Sequence, residues 1–237
     1  MKVCVRNFTG ELSEPAPSQV VVIDVLRATS VIVTALAHGA LGVIPVAEVD
    51  EAFAWGKRCS GPIILGGERQ NLPIPGFDCG NSPSDYRSSR VVGRTVILAT
   101  TNGTRAIVAA KHSEARSVSI GALYNVGSLA AHLATIGEDV LLLCSGTEGL
   151  ASLEDIVCAG ALAQTLSVSG ADLDDEAIMA AEVFSANEAD VLGLVRRGAH
   201  ARRLTEQGLD GDVSDVVSLN RYSVVPLLDG EIIKTRL

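Results

Sequence analysis

The sequence predicts a layered α/β/α protein built on a mostly parallel sheet, and three observations carry that reading. The run VVVIDV at 20–25 is β-branched everywhere except Asp24, the pattern of a strand buried on both faces, as in parallel sheets. Short apolar runs of this kind alternate with helical periodicity along the chain, which is the order of βα units. Hydrophobic residues make up 47% of the chain but aromatics only 3%, so Ala, Val, Leu and Ile fill the core. The 237 residues allow one large domain or two small ones.

Residues 2–6 read as a short strand and 11–18, with Pro15 and Pro17, as a loop. The strand at 20–25 ends in Asp24, turns through Arg27, Thr29 and Ser30, and enters a helix. That helix has apolar positions Val31, Ile32, Ala35 and Leu36, and Gly39 as its stop. A strand at 43–47 follows, then a helix capped by Asp50 and running to about Cys59. Residues 62–65 form the next strand, with Gly66-Gly67-Glu68-Arg69 as the turn after it. The segment QNLPIPGFDCGNSP at 70–83 is punctuated throughout by Pro and Gly. Irregular segments this long are functional or disordered. Ile74 and Phe77 anchor this one, as a lid or an ordered site wall. Ser82 caps a short helix with Pro83 at its first position.

Residues 95–99 are a strand, followed by TTNGTR and a helix through Ala109. Residues 116–120 are another, and Asn125 caps a helix ending near Gly137. The buried-type strand at 139–144 leads into Ser145-Gly146-Thr147-Glu148-Gly149. Ser152 caps the next helix, with Asp155 at the third helical position as capping-box partner. Residues 171–207 are mostly helical, and 220–235 form a hairpin turning at Asp229-Gly230. No repeat of fixed period and no low-complexity segment interrupts this order.

Nineteen basic residues against 28 acidic ones give a net charge of −9, which argues against a nucleic-acid backbone as partner. If a phosphate substrate is to approach, local cations must overcome the overall field. The five cysteines are odd in number, form no C-x-x-C pair and lie mostly in apolar runs. They fit a reducing cytosol, not a disulfide framework or zinc cluster. With no signal-peptide pattern and no apolar run near 18 residues, the expectation is a cytoplasmic protein without a membrane span.

Four strand-to-loop junctions carry polar groups: 24–30, 66–69, 100–105 and 145–149. A parallel sheet places all four on one edge, outside the carboxyl ends of the strands, where ligands bind in open α/β sheets. Backbone amides at Gly67, Gly103 and Gly146 would then converge on one anion, surrounded by Arg27, Arg69 and Arg105. Taken singly, each turn reads as ordinary turn chemistry and each arginine as a solvated charge. Asp24 ends a buried strand, where a carboxylate is costly unless paired, hydrogen-bonded or bound to a metal. Glu68 sits comparably. Glu154 and Asp155 lie in a first helical turn, where capping and metal binding are equally open. Asp78 reads as an Asx turn. Several hard oxygen ligands and few histidines suit Mg²⁺ better than zinc. His38, His112, His132 and His200 show no metal-ligand spacing and read as structural or surface residues.

Named phosphate motifs are absent. The only Gly-Lys pair, Gly56-Lys57, is followed by Arg58, so there is no P-loop. Six residues after the cysteines stand Gly10, Leu65, Asp85, Leu150 and Gln164, not the arginine of a cysteine phosphatase. Two residues after Asp24 stands Leu26, not the second aspartate of a haloacid-dehalogenase-type phosphatase.

IDVLRATS at 23–30, GGER at 66–69, IPGFDCGNSP at 74–83, TTNGTRA at 100–106 and CSGTEGLASLEDIVCAG at 144–160 come in an order that resembles the 2-phosphosulfolactate phosphatase family. The VVP around Pro226 is similar as well. The resemblance implies two packed Rossmann-like α/β subdomains. We place them at 1–125, with Asp24, Glu68 and the TNGT turn, and at 126–237, with the CSGTEG loop and SLED helix. It also implies a Mg²⁺-dependent phosphatase, a homodimer, that converts (R)-2-phospho-3-sulfolactate to sulfolactate and phosphate in coenzyme M biosynthesis.

On this reading Asp24 and Glu68, with help from Asp155, hold Mg²⁺. Arg27 and Arg105 stabilise the phosphoryl charge together with the amides of Thr101, Asn102, Gly103 and Thr104. Arg69 holds the carboxylate or sulfonate. Thr29, Ser30, Ser145 and Gly146 complete the substrate contacts. The rivals are a phosphatase of the same mechanism on another small phospho-acid, and a non-catalytic module that binds a phosphorylated metabolite.

Overall fold

The computed structural model describes residues 1–10 and 17–235; of the predicted loop at 11–18, residues 11–16 lie outside it. The first half comprises β1 (Lys2–Asn7), β2 (Gln19–Ile23), α1 (Ala28–Ala37), β3 (Gly42–Val46), α2 (Val49–Arg58), β4 (Ile63–Arg69), β5 (Leu72–Pro73), α3 (Ser88–Val91), β6 (Thr95–Ala99), α4 (Gly103–Lys111) and β7 (Ser117–Gly121). Then follow α5 (Val126–Ile136), β8 (Val140–Cys144), α6 (Leu153–Val168), β9 (Asp172–Leu173), α7 (Asp175–Ser185), α8 (Val191–Val195), α9 (Ala199–Glu206), α10 (Asp210–Asp215), β10 (Pro226–Asp229) and β11 (Ile232–Thr235).

The strands join one sheet in the order β5-β4-β6-β3-β11-β10-β7-β2-β8-β1-β9. It holds two parallel blocks, β7-β2-β8-β1-β9 and β3-β6-β4, separated by the β10–β11 hairpin. The hairpin meets each block through a single residue pair, Leu227 with Ser119 and Ile233 with Val43. Three antiparallel pairings in succession reverse the strand direction between the blocks, so their carboxyl ends do not share one straight edge. The junction loops meet all the same. Gly103, at the head of α4, lies so close to the end of β2 that a Cβ there would stand 2.5 Å from Asp24 Oδ2. Residue 125 falls just before α5, and β8, from beyond it, is inserted between β1 and β2.

β2 shows why the composition gives layers. Val20, Val21, Val22 and Ile23 are all fully buried. Alternate side chains enter opposite cores, because successive residues of a strand face opposite ways. Val21 and Ile23 pack with Leu129, Leu133, Leu162 and Leu166 of α5 and α6. Val20 and Val22 pack with Ile32 and Ile107 of α1 and α4. Each such side chain contributes roughly 1.5–3 kcal/mol of transfer free energy.

Several local readings change. Gly66 to Arg69 continue β4, and the turn is Gln70-Asn71, both in left-handed conformation, which brings β5 back on β4. Gly67 is glycine because it packs on β6: a Cβ would stand 1.9 Å from the Ala99 carbonyl oxygen. Glu48, not Asp50, forms a capping box with Glu51 at the head of α2. Ser82 precedes a 3-10 turn, Pro83–Tyr86, but donates its hydroxyl to Asp212 at 2.6 Å instead of capping it. Asn125 and Ser152 stand at the N-caps of α5 and α6 without side-chain capping bonds. The Asn125 carboxamide oxygen accepts from Ala122 N, and the Ser152 hydroxyl pairs with that of Thr147. Gly137 ends α5 at φ 71°, as read. Among the described residues no helix is long and apolar enough to cross a membrane.

Candidate active site

The junctions of both blocks open onto one cleft of about 380 Å³, a size suited to a small ligand. Asp24, Leu26 and Arg27 line it from the β2–α1 junction and Glu68, Gln70 and Asn71 from the β4–β5 turn. Asn81, Thr101 and Asn102 line it from the loops, and Thr147, Glu148, His200 and Arg203 close it. The segment at 70–83 is thus an ordered wall. Asp78 ties it to β4 by accepting from Leu65 N at 2.9 Å, and Phe77 sits edge-on to Phe53.

Asp24 does two things at once. Its Oδ1 accepts from Ala28 N, the first residue of α1, at 3.2 Å, while Oδ2 takes no hydrogen bond from the described residues and lies against Gly103. Burial pushes its carboxyl up to about 6; charge on His200 opposes that rise, and Glu68 and Glu154 add to it. Glu68 is held by Thr101, whose amide and hydroxyl donate at 2.8 and 3.1 Å, and by Asn71 N at 2.7 Å. Arg27 is buried and gives one nitrogen to Asp212 Oδ2 at 2.7 Å, the oxygen that also receives the Ser82 hydroxyl. Its remaining N–H groups stay available to the cleft it lines.

Asp155 is neither a capping-box partner nor open to the cleft. Its two oxygens accept from Val25 N at 2.8 Å and Gly146 N at 3.0 Å, stitching β2 to the loop after β8. Burial, then the Asp24 charge, raises its pKa well above the usual carboxylate range. Thr29 and Ser30 also turn inward, their hydroxyls donating to the Asp24 and Val25 carbonyls. The Thr104 hydroxyl returns to Thr100 O. Ser145 is buried with its hydroxyl unpartnered.

Three expected contacts do not form. Arg69 reaches away from the cleft to the carbonyls of Glu68 and Ala47. Arg105, half-exposed, pairs with Glu48 at 3.3 Å. Nor do the three amides converge: Gly67 N bonds Gly80 O and Gly146 N bonds Asp155, so of the three only Gly103 N lacks a protein acceptor among the described residues. The physical reason is direction. Arg69 is on an extended strand and Arg105 on the outer face of α4, and neither points along the sheet edge.

His200, Asn81, Asp212 and Arg203 belong to the site surroundings and were not picked as site residues from the sequence; Glu154, left open there between capping and metal binding, contacts His200. His200 lies in the first turn of α9, with Nδ1 3.0 Å from Glu154 Oε1. Asn81 lay inside a recognised stretch and carried a signal; its side-chain oxygen is buried and unpartnered. His200, Asp212 and Arg203 stand at positions that no spacing marked as a site.

Among the described residues no three His, Cys, Asp or Glu side chains cluster tightly enough to enclose a metal on their own. Mg²⁺ does not need that: it is usually bound by one or two carboxylates, retaining waters and taking substrate phosphate oxygens. The unpartnered Asp24 Oδ2 beside Glu68 fits this demand, whereas Asp155 does not.

A family model described as 2-phosphosulpholactate phosphatase matches residues 8–231. A protein of Caldanaerobacter subterraneus subsp. tengcongensis is 40% identical over 218 residues, covering 91% of this chain and 90% of its own length. A Clostridium novyi protein is 43% identical over 208 residues, 87% of each chain. One from Gloeobacter violaceus is 39% identical over 231 residues, 95% of this chain and 94% of its own. All three carry the name probable 2-phosphosulfolactate phosphatase.

Proposed function

The chain belongs to the 2-phosphosulfolactate phosphatase family, phosphoric monoester hydrolases, and from that premise we propose that it hydrolyses (R)-2-phospho-3-sulfolactate to (R)-3-sulfolactate and phosphate with Mg²⁺. In the cell this would be a cytoplasmic step of coenzyme M biosynthesis carried out by a homodimer.

The observation that supports the reading most is the pairing of Asp24 and Glu68 with Arg27 in one cleft. Two carboxylates alone repel a phosphate; beside a divalent cation they serve it. Asp24 and Glu68 would hold Mg²⁺, which when bound draws charge from the phosphoryl oxygens. The chain's own groups do the rest. Arg27, fixed by Asp212, offers charge-assisted hydrogen bonds to the phosphoryl oxygens. The Gly103 amide, at the head of α4, adds a donor where a helix favours anions. Thr101 keeps Glu68 in position. Arg203, paired with Glu148 at 2.9 Å on the cleft rim, is the cation best sited for a carboxylate or sulfonate.

Phosphate release from racemic phosphosulfolactate, phospholactate and p-nitrophenyl phosphate, each with Mg²⁺ and with EDTA, tests this. Mg²⁺-dependent release favouring phosphosulfolactate is expected. Release from the others alone would discard the substrate, and release unaffected by EDTA would discard the metal.

A further inference from the structure

Glu154 and His200 form a buried couple whose function nothing above uses. Glu154, in the first turn of α6, is 1% exposed, and His200 on α9 is 9% exposed. Their contact, Nδ1 to Oε1 at 3.0 Å, closes a separation of 46 residues. The second carboxylate oxygen, Oε2, is buried without a hydrogen-bond partner among the described residues, so His200 is the one group there that bonds this carboxylate. Thr147 Oγ1 stands 3.3 Å from the same ring nitrogen. A carboxylate only accepts, so the hydrogen in this contact sits on Nδ1. Nε2 is then the nitrogen left for the cleft that His200 lines, and among the described residues no group bonds it. A carboxylate on Nδ1 fixing the tautomer and ring orientation is the arrangement that makes a histidine a directed proton carrier.

The chemistry of the proposed substrate says which proton is needed. The leaving group is a secondary alkoxide, strongly basic, which departs slowly unless it is protonated as the bond breaks. The other polar cleft side chains are amides, hydroxyls, guanidiniums and carboxylates, and Asp24 and Glu68 serve as metal carboxylates in the proposed reaction. His200 is the only imidazole among the described residues lining the cleft, and imidazole is the side chain most often used to carry a proton in general acid catalysis.

We propose that His200 is the general acid that protonates the leaving oxygen, and that Glu154 is its positioning residue. The inference rests on the phosphatase reading. His200 enters the step as imidazolium, Nδ1–H on Glu154 and Nε2–H toward the cleft. The ester P–O bond breaks, its electron pair stays on the alkoxide oxygen, and that oxygen takes the Nε2 proton, leaving the neutral Nδ1–H imidazole. The water oxygen forms the new P–O bond. The proton that the added water sheds passes through solvent and restores His200. One water is consumed and nothing is oxidised or reduced.

The test compares leaving groups. With saturating Mg²⁺, kcat of wild type, His200→Asn and Glu154→Gln is measured on phosphosulfolactate and on p-nitrophenyl phosphate, whose nitrophenolate departs without an acid. His200→Asn is expected to lower kcat on phosphosulfolactate on the order of 10²-fold, and on the aryl ester less than about 5-fold. Glu154→Gln, nearly isosteric, follows the same pattern at roughly 10-fold and carries the comparison should His200→Asn fail to fold. Equal losses on both substrates, or losses on neither, would overturn the assignment. A wild type that turns over neither ester would overturn the phosphatase reading itself, a separate result.

Discussion

Two buried aspartates sit at neighbouring junctions, and they divide the labour of the site. Asp155, at the β8–α6 junction, gives both oxygens to backbone amides. Asp24, at the β2–α1 junction, gives one to Ala28 N and leaves the other beside Gly103 and the cleft. Both are pushed up by burial. The difference lies in what remains. A carboxylate whose hydrogen-bonding is complete holds a fold together; one left with a free oxygen in a dry place is held there at a cost to stability, and function is the usual reason.

The sharpest way to break this comparison is Asp24→Asn. Turnover should fall on the order of 10³-fold or more while the circular dichroism spectrum stays native, because the proposed Mg²⁺ would lose its anionic ligand. Near-normal turnover would erase the distinction between the two residues. Asp155→Ala should do the reverse. Two amides lose their acceptor, at about 3 kcal/mol together, so Tm should drop by roughly 6–12 °C. An unchanged Tm would show that these bonds hold nothing.

The pH dependence of the metal-free protein sharpens it further. The Asp24 pKa is raised from 3.8 to about 6, so the folded state holds its proton more tightly than the unfolded chain. The contribution to stability is therefore fully present below pH 4 and is lost as pH rises through 6. It amounts to about 3 kcal/mol. In EDTA, Asp24→Asn should be the more heat-stable protein at pH 7 and lose that lead at pH 4. Parallel melting curves across that range would contradict the raised pKa. The smallest effect is expected at Arg69 and Arg105. Each bonds away from the cleft, so replacing either by alanine should leave KM within about 2-fold in steady-state assays. A tenfold rise would return that arginine to the site.

Much of the fold was legible because its signals are local. The β-branched runs, the left-handed Gly137 stop and the Asp229-Gly230 turn act over a few residues, and the structure follows them. Gly66 and Gly67 were read as a turn because glycine does mark turns. Here they serve close packing on Tyr86 and Ala99, a contact made by residues far along the chain. The site was legible in part. Asp24, Arg27 and Glu68 announce themselves at strand ends, but side-chain direction does not, which is why Arg69 and Arg105 were enlisted. His200 and Asp212 come from the helical C-terminal region. They reach the cleft through tertiary packing on α6 and against Arg27, and no spacing in the sequence encodes that.

The β10–β11 hairpin has a consequence in time. Strands formed from residues 226–235 fill the middle of the sheet, between β7 and β3. A ribosome makes them after every other strand described, at about 5–20 residues per second. Until they emerge, the two parallel blocks face solvent with unpaired inner edges, the kind of surface on which nascent chains associate wrongly. The keystone is delivered last, and for the seconds before it arrives the polypeptide depends on whatever shields those edges.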